Sequence, residues 1–120
     1  MQYVMFIYQG TTPLPGTDQW EALSEDEQKQ IYADYGALNA NPAVTPGAPL
    51  GLPQNATTVR VEGGKTLATD GPFVAVKEAL GGYFVLEADD LDAAIEVASC
   101  VPAARLGGAI EIRPSEAYWQ

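Results

Sequence analysis

Two short stretches of this chain are apolar at every position: Tyr3-Val4-Met5-Phe6-Ile7-Tyr8 and Tyr83-Phe84-Val85-Leu86. Both are rich in aromatic and β-branched residues, which pack well on a pleated surface. Successive side chains of a strand point to opposite faces, so each stretch reads as a central strand buried on both sides. Whatever else the chain forms must cover that sheet above and below.

Two helices can cover one of those faces. Ser24-Glu25-Asp26-Glu27 has the Ser-x-x-Glu spacing of a capping box, with three acids in the electropositive first turn. The helix that starts there carries an apolar stripe of Leu23, Ile31, Tyr35 and Leu38, with Ala37 beside it, and ends before Pro42. Asp89 is placed to cap a second helix with the stripe Leu91, Ala94, Ile95, Ala98 and Val101, closed by Pro102.

Between the helices, residues 42–57 hold Pro42, Pro46, Pro49 and Pro53 with Gly47 and Gly51, the composition of an extended crossing segment with a short edge strand around Leu50. Thr58-Val59-Arg60-Val61-Glu62 then alternates, Gly63-Gly64 supplies a two-residue primed turn, and Lys65 to Thr69 returns, with Glu62 opposite Lys65. Ala109-Ile110-Glu111-Ile112-Arg113 alternates as the last strand, followed by a tail that would pack through Tyr118 and Trp119. The order is strand, helix, hairpin, strand, helix, strand. It predicts one α+β domain over 1–120, with an antiparallel sheet of the split βαβ type and helices on one face. The second face needs another cover, and the same face of a second copy suits it, so a homodimer is expected.

A chain of 120 residues with 47% hydrophobic positions buries about two thirds of its surface on folding, enough for a core without staples. Six Lys and Arg against sixteen Asp and Glu leave a formal charge of −10. All of it sits in Asp18–Asp34 and Glu87–Glu96, two acidic helical faces around a balanced middle. Such an envelope repels phosphates, which excludes nucleic acid and anionic lipid as partners. Histidine is absent, which removes His-based zinc sites and Ser-His or Cys-His nucleophile pairs. The lone Cys100 is expected to be a buried small hydrophobe in a reducing, cytoplasmic setting. No membrane span or export signal is read, and no metal or organic cofactor is required.

The densest motif is Thr69-Asp70-Gly71-Pro72-Phe73, followed by Lys77-Glu78 and Leu80-Gly81-Gly82-Tyr83. Asp-Gly-Pro is turn chemistry, with Asp70 accepting backbone N–H groups in an Asx-turn and Pro72 stiffening the exit. The same residues read functionally put Asp70, Lys77 and Glu78 at the mouth of a pocket, where a carboxylate can be poised for proton transfer. Gly64-Lys65-Thr66 lacks the upstream glycine of a phosphate-binding loop and is a hairpin tip.

That block resembles the signature of the YCII-related proteins of the DGPF type. Echoes run along nearly the whole chain, in Met1–Tyr8, Thr58-Val59-Arg60-Val61, Cys100-Val101-Pro102-Ala103-Ala104-Arg105 and Glu111-Ile112-Arg113-Pro114. The resemblance implies a ferredoxin-like dimeric α+β barrel of bacterial origin and names no reaction. Other branches of the group pair a His with an Asp in a cleft, a role that has no counterpart in a chain without histidine. Asp70 and Glu78 are then the candidate acid–base groups, with Arg60, Lys77, Tyr83 and Arg113 as candidate ligand-binding residues. Ala79 departs from the larger polar residue usual there. Two functions follow as expectations: a small-molecule cleft near the Asp70-Gly71-Pro72-Phe73 loop, and an accessory module for an extracytoplasmic-function sigma factor, a partner of the kind that the resemblance suggests.

Overall fold

A computed structural model describes residues 1–73 and 80–116. Strand β1 (Gln2–Tyr8) leads through the short helix α1 (Asp18–Glu21) to α2 (Glu25–Ala40) and the edge strand β2 (Val44–Pro46). A 3₁₀ turn at Pro53–Asn55 precedes β3 (Thr57–Glu62) and β4 (Lys65–Asp70). The chain ends in β5 (Leu80–Glu87), α3 (Leu91–Ser99), α4 (Pro102–Arg105) and β6 (Ala109–Pro114).

The main sheet has the order β2-β5-β1-β6 and is antiparallel throughout. Each helical crossover skips one strand: β1 reaches β2 past β5, and β5 reaches β6 past β1. This is the ferredoxin-like split βαβ arrangement, an α+β fold, with the two wholly apolar stretches side by side at its centre. The hairpin β3–β4 is not part of that sheet; it stands as a separate two-stranded ribbon inserted between β2 and β5.

Alternation divides the sheet residues cleanly. Tyr3, Met5 and Ile7 of β1 and Phe84 and Leu86 of β5 are buried, where they meet Val44, Ala94, Ala98, Val101 and Ala103. Alanines at both helical contact positions let α3 lie close to the strands. Helix α2 buries only Ile31, with Tyr35 and Leu38 resting on the core edge. On the other face, Val4 sits opposite Val85 and Phe6 opposite Tyr83. These side chains are half-buried or exposed, and no helix among the described residues covers them.

Capping follows the expected chemistry. Ser24 Oγ accepts from Glu27 N at 3.1 Å, the N-cap half of the expected capping box, while the Glu27 carboxylate accepts from the Ser24 hydroxyl at 3.0 Å rather than from its backbone N–H. The hairpin register pairs Glu62 with Lys65, and Gly63 and Gly64 have φ of 55° and 75°, the two positive values that a type I′ turn requires.

Several local expectations are corrected. Residues 18–21, ahead of the helix expected from Ser24, form the separate short helix α1: Thr17 Oγ1 accepts from Trp20 N, and Trp20 is buried edge-on to Tyr32 with ring centroids 5.4 Å apart. The edge strand lies at Val44–Pro46 rather than around Leu50, since Val44 buries opposite Leu86 while Leu50 makes only one bond, to Gly81 O. The cap of α3 is Asp90, whose Oδ1 accepts from Ala93 N at 2.8 Å. Within α3, Ala94 and Ala98 take the core and leave Leu91 and Ile95 exposed. Cys100 is exposed, past the last turn of that helix. No side-chain bond to Asp70 forms an Asx-turn among the described residues; the N–H of Gly71 donates instead to Ala56 O at 2.7 Å. Tyr118 and Trp119 lie outside the described residues.

The whole is flat and drawn out, 54 × 39 × 19 Å, with a radius of gyration of 16.5 Å against the roughly 13.6 Å of a compact chain this long. Its accessible surface is 8350 Å², about 2,100 Å² more than the roughly 6,200 Å² expected of a compact monomer.

Candidate functional site

A β-bulge opens a concavity at the head of β5. The register of β1 against β5 slips between Ile7, opposite Gly82, and Tyr8, opposite Leu80, which leaves Gly81 as the extra residue. A side chain at 81 would collide with Gln9, whose Cγ and Cδ would lie 2.5 and 2.6 Å from its Cβ, so Gly81 makes room for the Gln9 amide to fold over the strand. Beside it, the proline-rich segment continues past β2 and bonds back to β5, from Gly47 N to Tyr83 O at 3.1 Å and from Leu50 N to Gly81 O at 3.3 Å. Gly47 permits that approach: a Cβ there would stand 2.5 Å from Tyr83 O and 2.7 Å from its ring.

Between this strap, the bulge and the C-terminal half of α2 lies a cavity of about 380 Å³, within the range of small-molecule sites. Ile7, Leu14, Leu38 and Phe84 give it apolar walls, and Gln9, Tyr35, Asn39 and the backbone at Gly81–Gly82 give it polar groups. No charged side chain lines it among the described residues. The Gln9 side chain lines the cavity; its Oε1 is buried without a hydrogen-bond partner, as is Thr12 Oγ1 in the turn that follows. A buried polar atom left unpaired costs about 1–3 kcal/mol, a deficit that a ligand can remove. Burial pushes the Tyr35 phenol above its ordinary value, against an opposing pull from the Arg105 charge, so Tyr35 stays a neutral donor. A smaller cleft of about 180 Å³ lies between α2 and the α4 turn, lined by Glu27, Gln30, Ile31 and Arg105. At its side Arg105 donates to Asp34 Oδ2 at 2.6 Å. Among the described residues no group of three or more Cys, Asp and Glu side chains is gathered to hold a metal ion.

The residues singled out in the sequence fall in three places. Tyr83 lines the cavity. Arg113 lies on the uncovered sheet face, its guanidinium 5.5 Å from the Phe6 ring centroid and its Nε donating to Glu111 Oε2 at 2.6 Å. Arg60 and Asp70 belong to the hairpin: Arg60 lies 5.7 Å from the Phe73 ring centroid and 3.3 Å from Glu62 Oε1, and Asp70 ends β4 opposite Thr57. Lys77 and Glu78 lie outside the described residues. Phe6 draws Tyr83 and Arg113 together, since it faces Tyr83 across the strands and carries Arg113 on its ring. Gln9, Tyr35 and Asn39 escaped sequence reasoning; the one available signal was Gly81-Gly82 at the head of an apolar strand, which marks a bulge or a close approach.

The chain matches the YCII-related domain over residues 1–116. It belongs to the YCII-related family. An uncharacterized protein of Rhizobium meliloti (strain 1021) is 30% identical to it over 102 residues, covering 81% of this chain and 82% of that protein. Family membership fixes the ancestry of this fold and leaves the chemistry of the cavity to its own residues.

Proposed function

We propose that this YCII-related protein binds a small uncharged molecule in the cavity beneath the proline-rich strap. The observation that carries the reading is a cavity with apolar sides and no charged lining among the described residues, walled by Gln9, whose buried amide oxygen has no hydrogen-bond partner. A ligand with an amide or hydroxyl group would pair with Gln9, with Tyr35 and Asn39 as further partners, while its hydrocarbon part displaces water from Ile7, Leu38 and Phe84. A net charge of −10 further disfavours anionic ligands.

Acid–base chemistry, if the DGPF-type resemblance extends to it, rests on Asp70 and Glu78, with Lys77 and Arg60 balancing their charge. Asp70 and Glu78 bracket the segment that runs from the hairpin to the cavity wall at Gly81. The working unit in this reading is a cytoplasmic homodimer, in which a second copy covers Val4, Phe6, Tyr83 and Val85; the surplus surface of the single chain supports it. No helix among the described residues is long and apolar enough to cross a membrane.

Titration of ¹⁵N-labelled protein with benzamide, and with benzoate of nearly the same shape, tests the ligand class. Benzamide is expected to shift the amide signals of Gly47, Gly81 and Gly82 and to lose about tenfold in affinity in Gln9→Leu. Equal response to benzoate would overturn the uncharged class, and silence at all three glycines with both probes would overturn the site itself.

A further inference from the structure

The hairpin β3–β4 is built like an arm that has nothing of its own to hold. Its pairing puts Thr57, Val59 and Val61 on one face with Thr66, Ala68 and Asp70, and puts Thr58, Arg60 and Glu62 on the other with Lys65, Leu67 and Thr69. The second face is charged and partly covers itself, through the Arg60–Glu62 pair and the Phe73 ring over Arg60. The first carries no charge beyond Asp70 at its base, yet Val59 and Val61 are 61% and 67% exposed. A lone two-stranded ribbon is marginal in water, and β-branched residues on an open face contribute little until something covers them.

We infer that the Val59–Val61 face of the hairpin is a dimer clasp, which lies against a second copy of this chain rather than against its own body. The inference rests on the homodimer reading and adds to it the element that does the holding. Area favours this occupant. The uncovered face of the main sheet, four strands at about 4.8 Å spacing and about 20 Å long, projects roughly 400 Å². A stable pair needs about 800 Å² from each partner, and the surplus of this chain is about 2,100 Å². The sheet face supplies only part of that, and the ribbon, exposed along both faces, adds to it. A second copy also brings two arms related by one two-fold axis, so each contact is made twice. Charge points the same way. Beyond Asp70 at its base the valine face has no acid or base with which to select a charged partner, whereas the exposed acids of α2, Glu25 and Asp26, lie on another element and stay free to keep the assembly soluble.

The test compares the full-length chain with the double variant Val59→Glu, Val61→Lys, which preserves net charge, by sedimentation equilibrium over a wide concentration range. Unchanged far-ultraviolet dichroism and Trp20 fluorescence serve as the control for folding, since neither valine belongs to the core. The expected result is a dimer for the unsubstituted chain and a dissociation constant raised at least thirtyfold for the variant. A variant that dimerises as tightly as the unsubstituted chain would overturn the clasp and leave the homodimer standing. An unsubstituted chain that stays monomeric throughout would overturn both. Hydrogen exchange in the unsubstituted chain gives a second reading that does not depend on the variant's folding. Amides of residues 57–70 should lose protection on dilution below the dissociation constant, and protection independent of concentration would also overturn the clasp.

Discussion

Two glycines that look alike in the structure should respond to alanine in opposite ways. A Cβ at Gly81 would press on Gln9 Cγ and Cδ at 2.5 and 2.6 Å, and one at Gly108 would overlap the Tyr8 carbonyl and stand 2.8 Å from Gln9 O. Both intrusions need relief of roughly 1 Å to reach ordinary van der Waals separation. At position 81 the obstruction is the side chain of a glutamine beside an open cavity of about 380 Å³. Swinging Gln9 aside costs about 0.5–1.5 kcal/mol, and replacing Gly by Ala returns about 0.4–1 kcal/mol through the unfolded chain, so Gly81→Ala should change stability by less than about 1 kcal/mol. At position 108 the obstruction is backbone at the end of β1, and overpacking against it costs about 1–3 kcal/mol. With roughly 3–6 °C per kcal/mol for a chain this long, Gly108→Ala should lower Tm by about 3–18 °C, near 9 °C at mid-range, and Gly81→Ala should leave it within about 6 °C. Thermal unfolding followed by circular dichroism, at one fixed protein concentration, measures both. Adding Gln9→Ala should remove the residual cost at 81. Equal losses at the two positions would refute the reasoning, because Gln9 would then be held as firmly as backbone and the wall it forms could not open to a ligand.

Two further outcomes follow from the core and the surface. Phe84 is 2% exposed, opposite Met5 and Pro46 and beside the cavity, so Phe84→Ala should cost about 3–5 kcal/mol in urea unfolding, since the void it leaves joins one that already exists. Asp34 is held below the usual carboxylate range, chiefly by the hydrogen bond from Gln30 at 2.8 Å and, against some desolvation, by Arg105. A depressed folded-state value means that this stabilisation is complete above the unfolded pKa of about 3.9 and is lost as the pH falls through the lower folded value. Asp34→Asn should therefore cost less than about 1 kcal/mol at pH 6 and nothing at pH 2, as measured by urea midpoints across that range.

The elements were legible where one local cause dominates. The apolar stretches at Tyr3–Tyr8 and Tyr83–Leu86 became neighbouring strands, the Ser24–Glu27 spacing began α2, and Gly63-Gly64 set the hairpin register. Residues whose fate depends on tertiary partners were read less well. Leu91 and Ile95 have the right spacing for a core stripe, but Ala94 and Ala98 pack closer and win the contact. The placement of the hairpin outside the main sheet is a long-range choice that alternation within Thr58–Glu62 does not encode. The cavity was the least legible feature, because its polar wall comes from a loop glutamine and two positions on α2 that no motif joins. Only the bulge at Gly81 brings them together.

The neck of the hairpin has a further consequence. Gly71 N donates to Ala56 O at 2.7 Å and Thr58 Oγ1 donates to Gly71 O at 2.7 Å, so the excursion closes on itself where it leaves the chain. A segment whose two ends already meet places no length requirement on its host. Removing or adding two residues on each limb would shift the tip by about 7 Å and keep every side chain on its present face, whereas adding one on one limb alone would break the pairing register. The ribbon is therefore the place where this plait can change its reach in matched steps while the sheet stays unaltered.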